Sequence, residues 1–135
     1  IVGVKDSTYN LYEKLKINNF SVFPGSETKL LKGLKLGCNG IISAVCNVTA
    51  PIARKVYDDF INKKPQTVNE KLCAIRKAFD DTGNLISALH SFMAIRDEKY
   101  KRLLPPLTLL SKDKQKELLN KLKELDFIPT KNIAA

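Results

Sequence analysis

Histidine occurs once, at His90, and cysteine only at Cys38, Cys46 and Cys73. Those positions match neither the spacing of a zinc site nor a disulfide framework, so neither a metal nor a covalent staple is expected. An odd thiol count beside a lone histidine fits a reducing compartment, read here as the cytoplasm, with the thiols as small apolar fillers. His90 lies among Leu89, Ser91 and Phe92 on a helical stretch and reads as a packing or interface residue rather than a catalyst. No apolar run approaches the roughly 18 residues a membrane span needs, so no transmembrane helix is expected. No initiator Met, basic leader or cleavage-site pattern is found at Ile1-Val2-Gly3-Val4-Lys5. These residues read as the middle of a fold, and the chain is expected to be a portion of a longer protein.

Acidic residues are outnumbered, 14 against 23 Lys and Arg, which leaves a net charge of +9 over 135 residues. An excess of that size is compatible with a nucleic-acid or anionic-membrane surface. The lysines are spread along the chain, however, and many alternate with acids, as in Lys112-Asp113-Lys114-Gln115-Lys116-Glu117. That is the pattern of a solvated helix face, so neither nucleic acid nor membrane is expected as a partner. With 44% hydrophobic and 27% charged residues, the composition is that of an ordinary globular domain.

The first sixty residues repeat one arrangement. Ile1 to Val4, Phe20 to Phe23 and Gly40 to Val45 are short apolar runs. After the first, Leu11, Tyr12 and Leu15 recur at helical spacing up to Asn18-Asn19. After the second, Ser26 caps a helix with Leu30, Leu31 and Leu34 on one face, and Gly37 ends it. After the third, Thr49 and Pro51 open a helix whose Ile52, Val56, Tyr57 and Phe60 face a core. Strands at intervals of roughly nineteen residues, each followed by a helix, predict parallel βαβ units. Beyond Lys63-Lys64-Pro65 no strand appears. Thr67-Val68-Asn69-Glu70 is a capping box opening a helix with Leu72, Ile75 and Phe79. Gly83-Asn84 separates it from a helix over Leu85 to Arg96. Pro105-Pro106 forbids helix, and Ser111 begins the last one, with Leu118, Leu119, Leu122 and Leu125. The chain therefore divides into 1–62, three βα units, and 63–135, a helical region. Three strands cannot close a barrel, and their outer edges need partners.

Lys5 is the charge with chemical promise. It stands at the C-terminal end of a parallel strand, where α/β barrels gather their catalytic side chains. Partial desolvation there would favour the neutral amine, the form that attacks a ketone. Taken alone, it is equally a strand-end lysine reaching solvent.

Its surroundings carry a resemblance. Ile1-Val2-Gly3-Val4-Lys5-Asp6-Ser7 resembles the sixth strand of the dihydrodipicolinate synthase and N-acetylneuraminate lyase family, which bears a Schiff-base lysine. Val22-Phe23-Pro24-Gly25-Ser26-Glu27 resembles the end of its seventh strand. Leu36-Gly37-Cys38-Asn39-Gly40-Ile41-Ile42-Ser43 resembles its eighth, and Asn47-Val48 with Pro51 the segment after it. The helical tail, with Pro105-Pro106-Leu107, is similar to the family's C-terminal helices. The resemblance implies an α/β fold, the last part of a (β/α)8 barrel with a helical extension. It also implies a lyase-type enzyme with no cofactor, which acts on pyruvate and an aldehyde co-substrate and assembles as a homo-oligomer, a dimer or a tetramer.

In that family Lys5 would form the imine, and Gly25 would keep space open beside the keto acid. The backbone carbonyl of Ile42 would contact it, while Ser7 and Glu27 would reach the substrate. Asp6-Ser7 departs from the Glu-Ala common in dihydrodipicolinate synthases, and a hydroxyl at Ser7 suits relatives acting on hydroxylated sugar acids. Gly25-Ser26-Glu27-Thr28 lacks the second carboxylate of sialate lyases. The expected activity is therefore dihydrodipicolinate synthesis, with a 2-keto-3-deoxy sugar acid aldolase or an N-acetylneuraminate lyase-like enzyme as the alternative. The family's tyrosine and carboxylate-binding segment belong to strands that this chain does not contain, so the chain alone is expected to be inactive. A non-catalytic basic helical module is the competing reading from another class. It leaves the glycine-ended strands and the setting of Lys5 unexplained.

Overall fold

The computed structural model describes residues 1–128. It has two compact units, Ile1–Cys73 and the residues from Ala74 on, and the division falls within a helix. The end of the expected helical region, residues 129–135, lies outside the described residues.

In the first unit two short strands, β1 (Gly3–Asp6) and β2 (Ser21–Pro24), run parallel. Gly3 pairs with Ser21, Val4 with Val22, Lys5 with Phe23 and Asp6 with Pro24. Pairing thus starts two residues later than the apolar run, and Lys5 belongs to the strand itself. The exposed Ile1 and Val2 precede it. Side chains alternate across a strand, so Val4 and Asp6 share one face while Lys5 takes the other.

Two elements differ from expectation. The run over 40–45 is not a strand, and the sheet has two strands rather than three. Its tie to β2 is a backbone bond from Ile42 N to Pro24 O, 3.2 Å. A strand needs a ladder of such bonds over successive residues, and β2 ends at Pro24. Nor does a helix form over residues 11–19. The Asp6 carboxylate accepts from the backbone N–H groups of Thr8, Tyr9, Leu11 and Tyr12 at 2.9–3.2 Å and draws them into a loop. An acidic side chain that takes up backbone donors in this way competes with helix. Isolated turns remain, with Lys14 and Leu15 N bonded to Leu11 O and Phe20 N to Ile17 O. The loop buries Tyr12 against Val22 and Cys38, and Leu11 stays exposed.

The Ser26 side chain accepts from Thr28 N at the start of a 3-10 turn, Glu27–Lys29, which runs into α1 (Leu30–Lys35). Gly37, at φ 89°, ends it as expected. The bonds Cys38 N to Gly33 O and Gly37 N to Leu34 O close the helix in a glycine-terminated cap that takes up its last carbonyls. Helix α2 (Cys46–Ile61) begins before Thr49, so Pro51 sits in its second turn and removes one ladder bond. Leu30, Leu34, Ala53, Val56 and Leu72 form the core of this unit, with Ile52, Tyr57 and Phe60 packed on it. Each fully buried side chain of this size stabilises by about 1.5–3 kcal/mol.

Helix α3 (Asn69–Asp80) crosses from the first unit into the second. In the second unit Phe79 meets Phe92 edge-on at 5.5 Å, and Phe92 stacks on Phe127 at 5.7 Å. Asn84 caps α4 (Leu85–Met93) by accepting from Ser87 N at 3.0 Å. The helix stops short of Arg96, because Asp97 caps a new 3-10 turn over Glu98–Lys101. Ser111 caps α5 (Lys112–Glu124), which buries Leu118 and Leu122. Among the described residues no helix is long and apolar enough to cross a membrane.

Candidate active site

Parallel pairing in register brings the ends of β1 and β2 to one edge, and the groups that follow them converge there. Gly25 N donates to Asp6 O at 2.9 Å, continuing the ladder one step past β2. Gly25 follows Phe23 by two residues, so it shares the Lys5 face. A Cβ built on Gly25 would lie 3.5 Å from Lys5 Cε, Ser7 Cα and Asp6 O, which is ordinary contact distance. Glycine thus leaves room beside the lysine for a small group, and a branched side chain would fill it.

Lys5, Ser7 and Gly25 are therefore neighbours, and Ile42 is held next to the same edge by its bond to Pro24. Lys5, Ser7 and Ile42 are exposed. Among the described residues, none supplies the desolvation expected at Lys5.

Glu27 differs from these four. It is fully buried, and its carboxylate accepts from Ser43 Oγ at 2.7 Å and Thr49 Oγ1 at 3.4 Å. Asp6, which sequence reasoning treated only as a departure from glutamate, is the main organiser of the edge. It is 1% exposed, and besides its four backbone donors it accepts from Thr8 Oγ1 at 3.1 Å. Burial works to raise its pKa, but the bonds from Tyr12, Leu11, Thr8 and Tyr9 outweigh burial and hold it below the usual value. Asp followed two residues later by Thr is the signal that would have found it. Ser43 and Thr49 carried no such signal, because their partner is distant in sequence.

His90 lies in the second unit, where its Nδ1 is 2.8 Å from the Tyr100 carbonyl. Burial pushes the thiols of Cys38 and Cys73 up, which keeps them uncharged.

Parallel strands that bring a lysine, a glycine and a loop hydroxyl to one edge, backed by amphipathic helices, define a part of an α/β fold. The chain belongs to the dihydrodipicolinate synthetase family, whose model matches residues 1–125. Its fold is similar to that of dihydrodipicolinate synthase from Thermotoga maritima, with a TM-score of 0.78 at 23% identity over 95% of this chain and 47% of that one. N-acetylneuraminate lyase from Fusobacterium nucleatum matches with a TM-score of 0.79 at 17% identity, over 96% and 46%. A prophage protein of the dihydrodipicolinic acid synthase family from E. coli K12, solved in complex with pyruvate, matches at 0.78 and 18%, over 94% and 47%. The chain thus spans about half the length of the solved structures it resembles.

Proposed function

We propose that this chain is the Schiff-base-bearing half of a pyruvate-dependent synthase, a 4-hydroxy-tetrahydrodipicolinate synthase that condenses pyruvate with aspartate semialdehyde. Residues 1–62 would provide the last three βα units of a (β/α)8 barrel, and 63–135 its helical extension. The rest of the protein would complete the barrel and desolvate Lys5. The observation that carries the reading is the space held open by Gly25 against Lys5 Cε.

The Lys5 amine adds to the pyruvate ketone, and loss of water leaves an imine. The protonated imine accepts the electron pair released when a methyl proton leaves, giving an enamine. The enamine carbon then bonds to the aldehyde carbon of the co-substrate. Gly25 admits the keto acid, the Ile42 carbonyl contacts it, and Ser7 reaches the co-substrate. Glu27 belongs to the same site. The proposed setting is the cytoplasm, where three free thiols stay reduced, and the proposed assembly is a homo-oligomer. The exposed hydroxyl of Ser7 beside the Gly25 gap favours a second reading, an aldolase of 2-keto-3-deoxy sugar acids or an N-acetylneuraminate lyase-like enzyme.

Borohydride reduction of the intact protein in the presence of pyruvate is expected to fix the keto acid on Lys5, detected by peptide mass spectrometry. A protein that turns over while Lys5 gains no mass would remove the mechanism.

A further inference from the structure

Glu27 is fully buried, yet it stands in the loop that carries Gly25, two residues from the gap beside Lys5. A carboxylate with no accessible surface cannot bond a substrate in this conformation. It must be matched by donors from the protein, because an unpaired buried charge is strongly unfavourable. Two of those donors are hydroxyls, on Ser43 within the third apolar run and on Thr49 after it. Thr49 Oγ1 also lies 3.0 Å from Val45 O, against 3.4 Å to Glu27, so Ser43 is the closer partner of the carboxylate.

The position of Ser43 gives this bond its meaning. It follows Ile42 directly, and the 40–45 segment lacks the ladder of a strand. It is tied to the β2 end at two adjacent residues, by Ile42 N to Pro24 O in the main chain and by Ser43 Oγ to Glu27 in the side chains. The second tie bears on the peptide after Ile42, because it holds the side chain of the residue on that peptide's far side. The carbonyl of Ile42 belongs to that peptide.

We infer that Glu27 is a positioning residue, which fixes the Ile42 carbonyl toward the keto acid through Ser43 and does not itself touch substrate. The inference rests on the Schiff-base reading above and replaces the substrate contact expected of Glu27. A fixed Ile42 carbonyl shapes the wall of the keto-acid site in the same way before and during reaction, so its effect falls on pyruvate affinity rather than on turnover.

The test uses the intact protein and three variants, Ser43→Ala, Glu27→Ala and Glu27→Gln. Steady-state kinetics are read with pyruvate and aspartate semialdehyde, alongside borohydride trapping on Lys5 at graded pyruvate. Ser43→Ala and Glu27→Ala are expected to raise the pyruvate KM by about tenfold, with kcat and the aldehyde KM within about threefold of wild type. Glu27→Gln keeps an acceptor for Ser43 and is expected to restore the pyruvate KM to within about threefold. The pyruvate concentration needed for half-maximal trapping should move with it. Ser43→Ala deletes one hydroxyl, so it decides the matter if Glu27→Ala does not fold. An unchanged pyruvate dependence in Ser43→Ala overturns the inference. A loss confined to the aldehyde KM in the Glu27 variants also overturns it and makes Glu27 a substrate contact. Absence of the Lys5 adduct in the wild type is a separate result, which removes the Schiff-base reading and this inference with it.

Discussion

Gly25 and Ser7 make the sharpest single-residue predictions. Because a Cβ at Gly25 meets Lys5, Ser7 and Asp6 at contact distance without a clash, Gly25→Ala should fold and keep part of its activity. Gly25→Val should fold with a melting temperature close to wild type and lose activity by about a hundredfold or more, since its methyls take the volume meant for the keto acid. A folded valine variant with near-normal turnover would show that the gap is not the pyruvate pocket. Ser7 separates the two substrate readings. If a hydroxylated sugar acid is the substrate, Ser7→Ala leaves a substrate hydroxyl unpaired and should cost about 1–3 kcal/mol in kcat/KM. With aspartate semialdehyde the change should be nearly silent. Parallel assays on aspartate semialdehyde and on 2-keto-3-deoxygluconate read the difference, and a loss confined to the sugar acid overturns the first-choice substrate.

At the scale of elements, the loop after β1 depends on one carboxylate. Asp6→Asn keeps an acceptor but turns an NH2 group toward backbone N–H donors, so it should destabilise the intact protein by about 2 kcal/mol. The pH dependence has a definite sign. The folded pKa of Asp6 lies below its ordinary value of 3.8. Its contribution is therefore present above the ordinary carboxylate range and is lost as pH falls through the lower folded value. Urea midpoints of wild type and Asp6→Asn should differ by a constant amount near neutrality and converge below about pH 4. Parallel curves down to pH 2 would show that the Asp6 charge plays no part.

This loop also shows where the sequence was legible and where it was not. Helices α1, α3, α4 and α5 were readable because their signals are local, as with Ser26, Gly37, Asn84 and Ser111. Leu72, Ile75 and Phe79 at helical spacing proved buried. Leu11, Tyr12 and Leu15 carry the same spacing yet form no helix, because Asp6 claims the backbone donors first. The 40–45 run looked like β1 and β2, but strand structure depends on a neighbour's backbone, which composition does not encode. Lys5 was legible from its place at a strand end, whereas Ser7 and Gly25 came from the resemblance to family motifs, and the convergence of the three required the register of the sheet. The inward turn of Glu27 was hidden because its donors, Ser43 and Thr49, lie beyond a whole helix.

At the scale of the whole molecule, the chain holds Lys5, the proposed Schiff-base lysine, on an exposed strand edge and covers about half of its solved relatives. If the other half supplies the dry walls around Lys5, the 135-residue chain on its own should react with pyruvate no faster than a surface lysine does. Borohydride trapping on the isolated chain and on the intact protein compares them, with labelling at Lys5 referred to labelling at Lys63 or Lys64. Equal trapping at Lys5 in both would mean that this chain already creates the reactive amine, and that the missing half serves only the second substrate.

The knot of amides around Asp6 has one further consequence, for what this loop can bind. Four converging backbone N–H groups at the end of a strand are the kind of cradle in which proteins seat phosphate. Here the cradle is already filled by the chain's own carboxylate, so these amides are not open to a phosphoryl group. The loop after β1 is in effect closed to phosphate by its own side chain.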